Sequence, residues 1–225
     1  RVLFRSGLNL STVVLLLTLA GCGALQTPAR PVVYDFGPGA VVAAELASAA
    51  TPQAARPSAL LLTDVETTPA LDTTAVLFRL TYADAQQLRP YAQARWSMPP
   101  AQLLRQRLRE TLGQQRHVLS PGEGVAGGQG SVTLRIALEE FSQLFESESA
   151  SVGLVRLRAT LSQPTAGSAD RLLAQRSFVV QRPSSTADAT GGVRAMTVAS
   201  DAAIAELAAW VQHNAPVSLA KGAGN

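Results

Sequence analysis

The only cysteine of this 225-residue chain, Cys22, is the side chain best placed for chemistry. It follows Leu19, Ala20 and Gly21, and the last two are small enough to let the backbone enter a peptidase cleft. A thiol at this position can be alkylated by a diacylglycerol group before cleavage, which would make Cys22 the first residue of the mature chain. The pattern predicts cleavage between Gly21 and Cys22 and lipid attachment at Cys22.

The segment before Cys22 has the layout of a bacterial lipoprotein signal peptide, predicted over residues 1–21. Arg1 and Arg5 precede an apolar stretch of about a dozen residues, which is too short for a permanent span of roughly 20. The alternatives are an ordinary secretory signal and a buried helix with an incidental thiol. Because Gly23, and not Asp, follows Cys22, we expect the lipid to lie in the inner leaflet of the outer membrane and the protein to face the periplasm.

The remaining residues do not indicate catalysis. The sequence lacks G-x-S-x-G, H-E-x-x-H and a Walker loop, and its two histidines, His117 and His213, fall at a predicted strand start and helix end. Glu139 and Glu140 are adjacent in a predicted strand and should point to opposite faces, which argues against a carboxylate pair. We therefore predict that the protein is not an enzyme and binds no cofactor or metal.

A glycine-rich segment, residues 121–130, contains G-x-G-x-x-G at Gly122, Gly124 and Gly127. A dinucleotide loop of this kind must open a helix, whereas Ser131 to Glu139 alternates with a period of two and predicts a strand. A flexible hairpin connection is the favoured interpretation.

Charge and cysteine content restrict the partners and the means of stabilisation. The formal net charge of +3 includes Arg1 and Arg5, and residues 1–21 contain no acid, so the mature chain carries +1 and nothing indicates a nucleic-acid partner. A single acylated cysteine leaves no disulfide, so packing must stabilise the fold. The sequence is also compatible with a homo-oligomer.

The chain divides into a tether and one domain. Residues 22–58 are rich in Pro, Ala and Gly and predict a lipidated tether with one short strand at Val32–Phe36, which at full stretch would reach on the order of 100 Å. Within it, residues 39–57 favour a mobile loop over a partial helix. Residues 59–215 predict an α/β domain, and residues 216–225 a flexible tail.

The domain is expected to contain six strands and two main helices. The strands are predicted at residues 60–65, 74–81, 117–120, 131–139, 152–161 and 172–181, with polar loops at 142–151 and 162–170. Residues 83–95 are polar and contain Pro90, so an irregular segment with a helical turn is expected there.

Both helices have an apolar stripe. The first is capped by Ser97, carries Pro99 and Pro100 in its first turn and stops at Gly113; its arginines, 105, 107 and 109, predict a solvated face rather than a phosphate site. The second runs from about Gly192 to His213, with a stripe of Met196, Ala199, Ala203, Leu207 and Val211, widened by Ile204 and Trp210.

These features resemble the ABC-type transport auxiliary lipoproteins. The likeness lies in the cysteine motif, the Tyr-x-Phe strand at 34–36, the Pro-x-Leu-Asp turn at 69–72, Phe78-Arg79-Leu80, and the segment Tyr91 to Trp96 that leads into Pro99 and the arginine-bearing helix. The alanine-rich last helix is similar too. The insertion at 39–57 and the glycine-rich loop depart from the simplest family pattern.

The resemblance implies a three-layer α/β fold with a mixed sheet of about five to six strands, similar to the amino-terminal domain of the Tol-system β-propeller protein. It also implies partners: an ABC permease and ATPase, and an MCE-domain protein that carries lipids or other hydrophobic compounds between the two membranes. Arg95 and Trp96 are candidate partner contacts; the alternative is that Trp96 packs as a hydrophobic staple and Arg95 satisfies backbone carbonyls.

Two other functions remain open at this point. A lipid-anchored module could itself bind a small apolar ligand between sheet and helices, or the chain could be an envelope-assembly lipoprotein of another system.

Overall fold

A computed structural model describes residues 30–39, 58–123, 131–165 and 167–216. In this part of the chain, eight strands form one mixed sheet accompanied by two helices. The strands are β1 (Val32–Tyr34), β2 (Leu60–Thr67), β3 (Ala75–Leu80), β4 (Asp84–Trp96), β5 (Val118–Leu119), β6 (Val132–Phe145), β7 (Ser151–Gln163) and β8 (Arg171–Pro183), and the helices are α1 (Pro100–Gly113) and α2 (Ala189–Asn214).

The sheet is built around β6, which has partners on both sides. Along one side, β7 pairs antiparallel with β6 and β8 pairs antiparallel with β7. Along the other side, β2 pairs in parallel with the first half of β6, and β3 pairs in parallel with the end of β6. Strands β2 and β3 therefore lie one after the other along the same edge of β6. The sheet continues outward from β2 through β5, and from β3 through β4 to β1.

The alternating patterns of β6 and β7 decide which side of the sheet becomes the core. The apolar set of β7, predicted to share one face, is fully buried: Val155, Leu157, Ala159 and Leu161 are each 0% exposed. In β6, Val132, Leu134, Ile136 and Leu138 are buried on the same face, because Leu134, Ile136 and Leu138 lie in register with Leu161, Ala159 and Leu157. Both predicted strand faces are confirmed.

Helix α2 lies close against this face because small residues line both surfaces. All five residues of its predicted stripe are 0% exposed, and two of them, Ala199 and Ala203, are small. In β7, a Cβ atom at Gly153 would collide with the backbone of Met196, so only glycine fits there. The boundaries of α2 extend slightly beyond the predicted ones, and Asp188 caps its start by accepting a hydrogen bond from the Gly191 amide.

The described residues form two layers and not the three that were expected. Helix α1 packs on β2 and on α2, and α2 packs on β6, β7 and β8, so both helices cover the same face. The other face carries the polar residues of the alternating strands, such as Arg135, Arg156 and Arg158, and alternation is typical of a sheet with one solvated face. The expected likeness to the Tol-system protein stays a prediction.

The sheet is also larger than the five to six strands predicted. The polar residues 83–95, expected to be irregular, belong to β4, which tolerates Pro90 because the β3–β4 pairing is irregular next to it, between Ala75 and Leu77. Strand β6 continues to Phe145, so the expected loop at 142–151 shrinks. Ser97 does not cap α1, whose N-cap residue is Pro99.

Strand β1 lies within the segment that was predicted to be a tether. Although it was predicted inside residues 22–58, it pairs in parallel with Ala94, Arg95 and Trp96 of β4 and so belongs to the sheet. The predicted signal peptide, Cys22, most of residues 39–57 and most of the predicted tail lie outside the described residues, as do Gly124 and Gly127 of the glycine-rich segment.

Candidate functional site

The polar face of the sheet, which we call the open face, carries a set of ion pairs. Arg79 of β3 contacts Glu140 of β6 at 3.1 Å between Nη2 and Oε2, and Arg158 of β7 contacts Glu139 at 2.7 Å between Nη2 and Oε1. A third pair joins Arg135 to Asp170 at 3.6 Å. The open face therefore presents alternating charges of both signs without a helix over it among the described residues.

Glu139 and Glu140 lie on the same face, so the expectation that they point apart is wrong. The pairing register of β6 with β7 shifts between Leu138 and Glu140. This shift is a β-bulge, in which β6 accommodates one extra residue. Both carboxylates consequently reach arginines of the open face. Each is engaged by its own guanidinium, an arrangement suited to charge recognition rather than to a shared proton.

The two ion pairs of Arg158 and Arg135 contribute little to stability. The Arg158 and Arg135 side chains are about half exposed, at 51% and 53%, and exposed pairs are typically worth about 0–1 kcal/mol. Charges arranged in this way influence which partner docks and in what orientation more than how stable the fold is. A shallow cleft of about 260 Å³, lined by Glu66, Arg135, Arg158 and Thr160 among others, lies within the open face.

The two residues expected to contact a partner occupy different environments. Trp96 is 2% exposed and packs edge-to-face on Phe36 and Phe141 in the core. Arg95 points to the other side of β4, is half-buried, and donates from Nη1 to the carbonyl oxygens of Tyr91 and Ala94. Trp96 therefore has a packing role, and Arg95 satisfies backbone carbonyls, as the alternative interpretation of the sequence proposed. Contact with a partner through the exposed part of Arg95 stays a prediction.

Arg107 was expected on a solvated helix face and is instead buried. Its Nη2 atom donates to the carbonyl oxygens of Phe36 at 2.6 Å and Gly37 at 3.1 Å, and its Nε atom lies 3.4 Å from Oδ1 of Asp201 on α2. We call this group the Arg107 clamp, because it joins the segment after β1 to both helices. Burial raises the pKa of Asp201, an effect that the nearby Arg107 charge partly offsets.

A signal for the clamp was present in the sequence. Position 107 lies three residues after Leu104 and beside Leu108, so it falls on the apolar stripe of α1 rather than opposite to it. Arg105 and Arg109, by contrast, are partly exposed, as expected.

A second surface lies where β1 meets the first half of α2. This cleft, which we call the β1 cleft, has a volume of about 540 Å³ and is lined by residues of both elements, including Val33, Asp35, Arg194 and Val198. Tyr34 fixes its floor through a 3.1 Å hydrogen bond between its hydroxyl and Oγ1 of Thr190.

A buried polar group lies below the start of α2. Gln143 is 0% exposed; it accepts a hydrogen bond from the Tyr91 hydroxyl at 2.8 Å and donates to Oγ of Ser151 at 2.8 Å. Burial, and secondarily the charge of Asp188, raises the pKa of Tyr91 to about 12. Tyr91 therefore stays protonated and serves as a hydrogen-bond donor.

In the described ranges, no three His, Cys, Asp or Glu side chains come together in a way that could hold a metal ion. Nor does any helix within them have the length and apolar character needed to cross a membrane. The predicted lipid site, Cys22, and the residue before the cleavage point, Gly21, lie outside these ranges.

Comparison with known proteins gives one family match and a set of similar folds. A family model described as the ABC-type transport auxiliary lipoprotein component matches residues 43–208. A solved structure from Xanthomonas campestris, assigned to the DUF330 family, is 22% identical, with a TM-score of 0.59 over 73% of this chain and 91% of that one. A second, of an uncharacterized protein, is 14% identical, with a TM-score of 0.57 over 81% and 99%. At such identities these structures indicate the fold alone. No curated protein matches the sequence.

Proposed function

The chain belongs to the ABC-type transport auxiliary lipoprotein family, and we propose that it is a non-enzymatic, lipid-anchored subunit of an ABC transporter. The resemblance noted in the sequence is thereby confirmed. In the finer proposal, acylated Cys22 holds the domain at the inner leaflet of the outer membrane, and the domain docks on an MCE-domain protein of a system that moves lipids or other hydrophobic compounds.

The open face is the observation that carries the docking role. Its accessible charges lie on β6 and β7, where the Arg135 and Arg158 side chains are about half exposed, whereas those of Arg79 and Glu140 are only 20% and 16% exposed. Accessible charges restrict a partner to a complementary surface in one orientation. Arg156 adds an exposed cation in the same area, opposite Glu140 in the register of the two strands.

A small-ligand module is less well supported. The residues between sheet and helices pack together and are almost completely buried; Leu62 and Leu104, for example, are 0% exposed and Ile204 is 1% exposed. The β1 cleft and the cleft between α1 and β2 each have charged residues in their lining, Arg194 in the first and Asp64 and Arg105 in the second. Both clefts are open to solvent, and neither is an enclosed apolar cavity of the kind that buries most of a small ligand.

Association tests the proposal directly. The tagged, lipidated chain is purified from membranes solubilised under conditions in which a known transporter complex survives, and the recovered proteins are identified. We expect an MCE-domain protein and an ABC permease or ATPase. If neither is recovered, the partner assignment is wrong.

Charge reversal locates the contact. Arg156→Glu on the open face should reduce recovery of the partner, whereas Arg176→Glu, which changes another exposed strand arginine, on the helix-side face of β8, should not. Equal loss in both variants, or in neither, would count against docking through the open face.

A further inference from the structure

We propose that the β1 cleft is the surface through which this domain rests on the lipid bilayer. The inference relies on the proposed acylation of Cys22 and adds to it the orientation of the domain. It starts from the position of β1, the first element of the sheet.

The chain between the lipid and the sheet is short. Only nine residues separate Cys22 from Val32, which makes ten Cα-to-Cα steps, so the start of β1 can lie at most about 35 Å from the acylated cysteine. As a flexible coil the same nine residues would span about 15–18 Å on average. The expected tether of some three dozen residues is therefore not available, because β1 is paired with β4 and the segment after it is held by the Arg107 clamp.

The side chains at this point are unusually apolar for a surface. Among the described residues, six large apolar side chains are about half exposed or more, and three of them, Val32, Val33 and Val198, lie at β1 and the neighbouring part of α2. Val33 and Val198 line the same cleft. Clusters of exposed apolar side chains mark interaction surfaces more often than single ones do.

The charges in the cleft suit the headgroup region. Arg194 is exposed, and Asp35 accepts a hydrogen bond from the Gly37 amide, so the lining carries one cation and one anion and is close to neutral. Strand β1 is also the last strand on its side of the sheet in the described chain. Its outward amide and carbonyl groups need hydrogen bonds, which headgroups and interfacial water supply and the hydrocarbon core does not. The contact is therefore shallow, with valines at the acyl boundary.

Val33 is in register with Arg95 and points to the same side of the sheet as the open face, but it lies at the β1 edge. This orientation therefore leaves the charged part of the open face over β6 and β7 free for the proposed partner. Val179 of β8 projects from that face, opposite Arg156, at the far side of the sheet from β1. It is 55% exposed, compared with 63% for Val33 and 53% for Val198, and so provides a control of the same residue type and similar exposure.

Site-specific fluorescence tests the inference. Because Cys22 is the only native cysteine and is consumed by the lipid, a second cysteine introduced as Val33→Cys, Val198→Cys or Val179→Cys can be labelled selectively with an environment-sensitive dye. The lipidated chain is reconstituted into vesicles of phosphatidylethanolamine and phosphatidylglycerol, some carrying nitroxide-labelled lipids. We expect blue-shifted emission and nitroxide quenching at positions 33 and 198, and neither at 179.

Three other outcomes would overturn the inference in distinguishable ways. If the chain stays bound to the vesicles but positions 33 and 198 respond like 179, the orientation is wrong and the anchor stands. If the chain does not stay with the vesicles, the anchor and the orientation both fail. If positions 33 and 198 become shielded only after solubilised envelope proteins are added, the cleft binds a protein and not the bilayer.

Discussion

The Nη2 atom of Arg107 donates a 2.6 Å hydrogen bond to the carbonyl oxygen of Phe36, which lies 71 residues earlier in the chain. This bond connects the middle of α1 to the segment directly after β1. Since the same guanidinium also faces Asp201 of α2, one side chain holds the amino-terminal segment and both helices in a fixed relation.

Removing the Arg107 clamp should lower the stability of the fold. Arg107→Ala leaves two carbonyl oxygens and a carboxylate without their donor, and we expect a loss of about 3 kcal/mol in the free energy of unfolding. Arg109→Ala, which removes a half-exposed arginine of the same helix, should cost less than about 1 kcal/mol. Urea unfolding of the purified chain in detergent measures both, and similar losses would show that the clamp is not a major source of stability.

The cap of α2 should give a pH-dependent contribution. The hydrogen bond from the Gly191 amide, and then that from the Thr186 hydroxyl, lowers the pKa of Asp188. A lowered pKa means that the carboxylate stabilises the fold above about pH 4, the usual value for unfolded Asp, and that this contribution is lost as the pH falls through the folded pKa.

Asp188→Ala should therefore reduce stability by about 1 kcal/mol at pH 7, the typical value of an N-cap, and by less at pH 3. Thermal unfolding at the two pH values provides the measurement. Asp72→Ala, an exposed loop aspartate, is the control and should show no comparable pH-dependent difference. A deficit for Asp188→Ala that is equally large at pH 3 would contradict a role for the charged carboxylate.

The close packing of α2 on β7 can be tested with two glycines. A Cβ at Gly153 would meet the backbone of Met196, so we expect Gly153→Ala to destabilise the protein by about 1–3 kcal/mol through overpacking. A Cβ at Gly113, at the end of α1, has nothing within 4 Å, and Gly113→Ala should be neutral or slightly stabilising. If denaturant titration gave the same change for both, α2 would not lie as close to the sheet as the structure has it.

The localisation proposal depends on the residue after the lipid. Gly23→Asp should move the protein from the outer to the inner membrane fraction, because Asp at this position normally retains a lipoprotein at the inner membrane. Gly23→Ser is the matched control and should stay in the outer membrane.

Cys22→Ala tests the anchor separately. Without the thiol there is no site for the lipid, so we expect the variant to lose its membrane association on density-gradient fractionation. The lipoprotein assignment fails if this variant is still processed after Gly21 and remains in the outer membrane.

The strands and helices with a simple period were recognisable from the sequence. The alternation in β6 and β7 indicated their buried faces, and the stripe from Met196 to Val211 indicated the packed side of α2, because these patterns repeat within one element and need no knowledge of its neighbours. The family was recognisable for a related reason, since its motifs are local. Strand β4 was missed because Pro90 and polar residues argue against a strand unless its irregular pairing with β3 is known.

The candidate surfaces came from the tertiary structure. Local sequence determined that Cys22 follows a signal-like segment, that the strands alternate and that the helices are amphipathic. Only the fold decided that a bulge turns Glu139 and Glu140 to the same side, that Arg107 is buried against Phe36, and that β1 joins the sheet only nine residues after Cys22. Each of these depends on pairing between segments far apart in sequence, and the hydrogen bonds and packing that select such pairings leave no periodic signal in either segment alone.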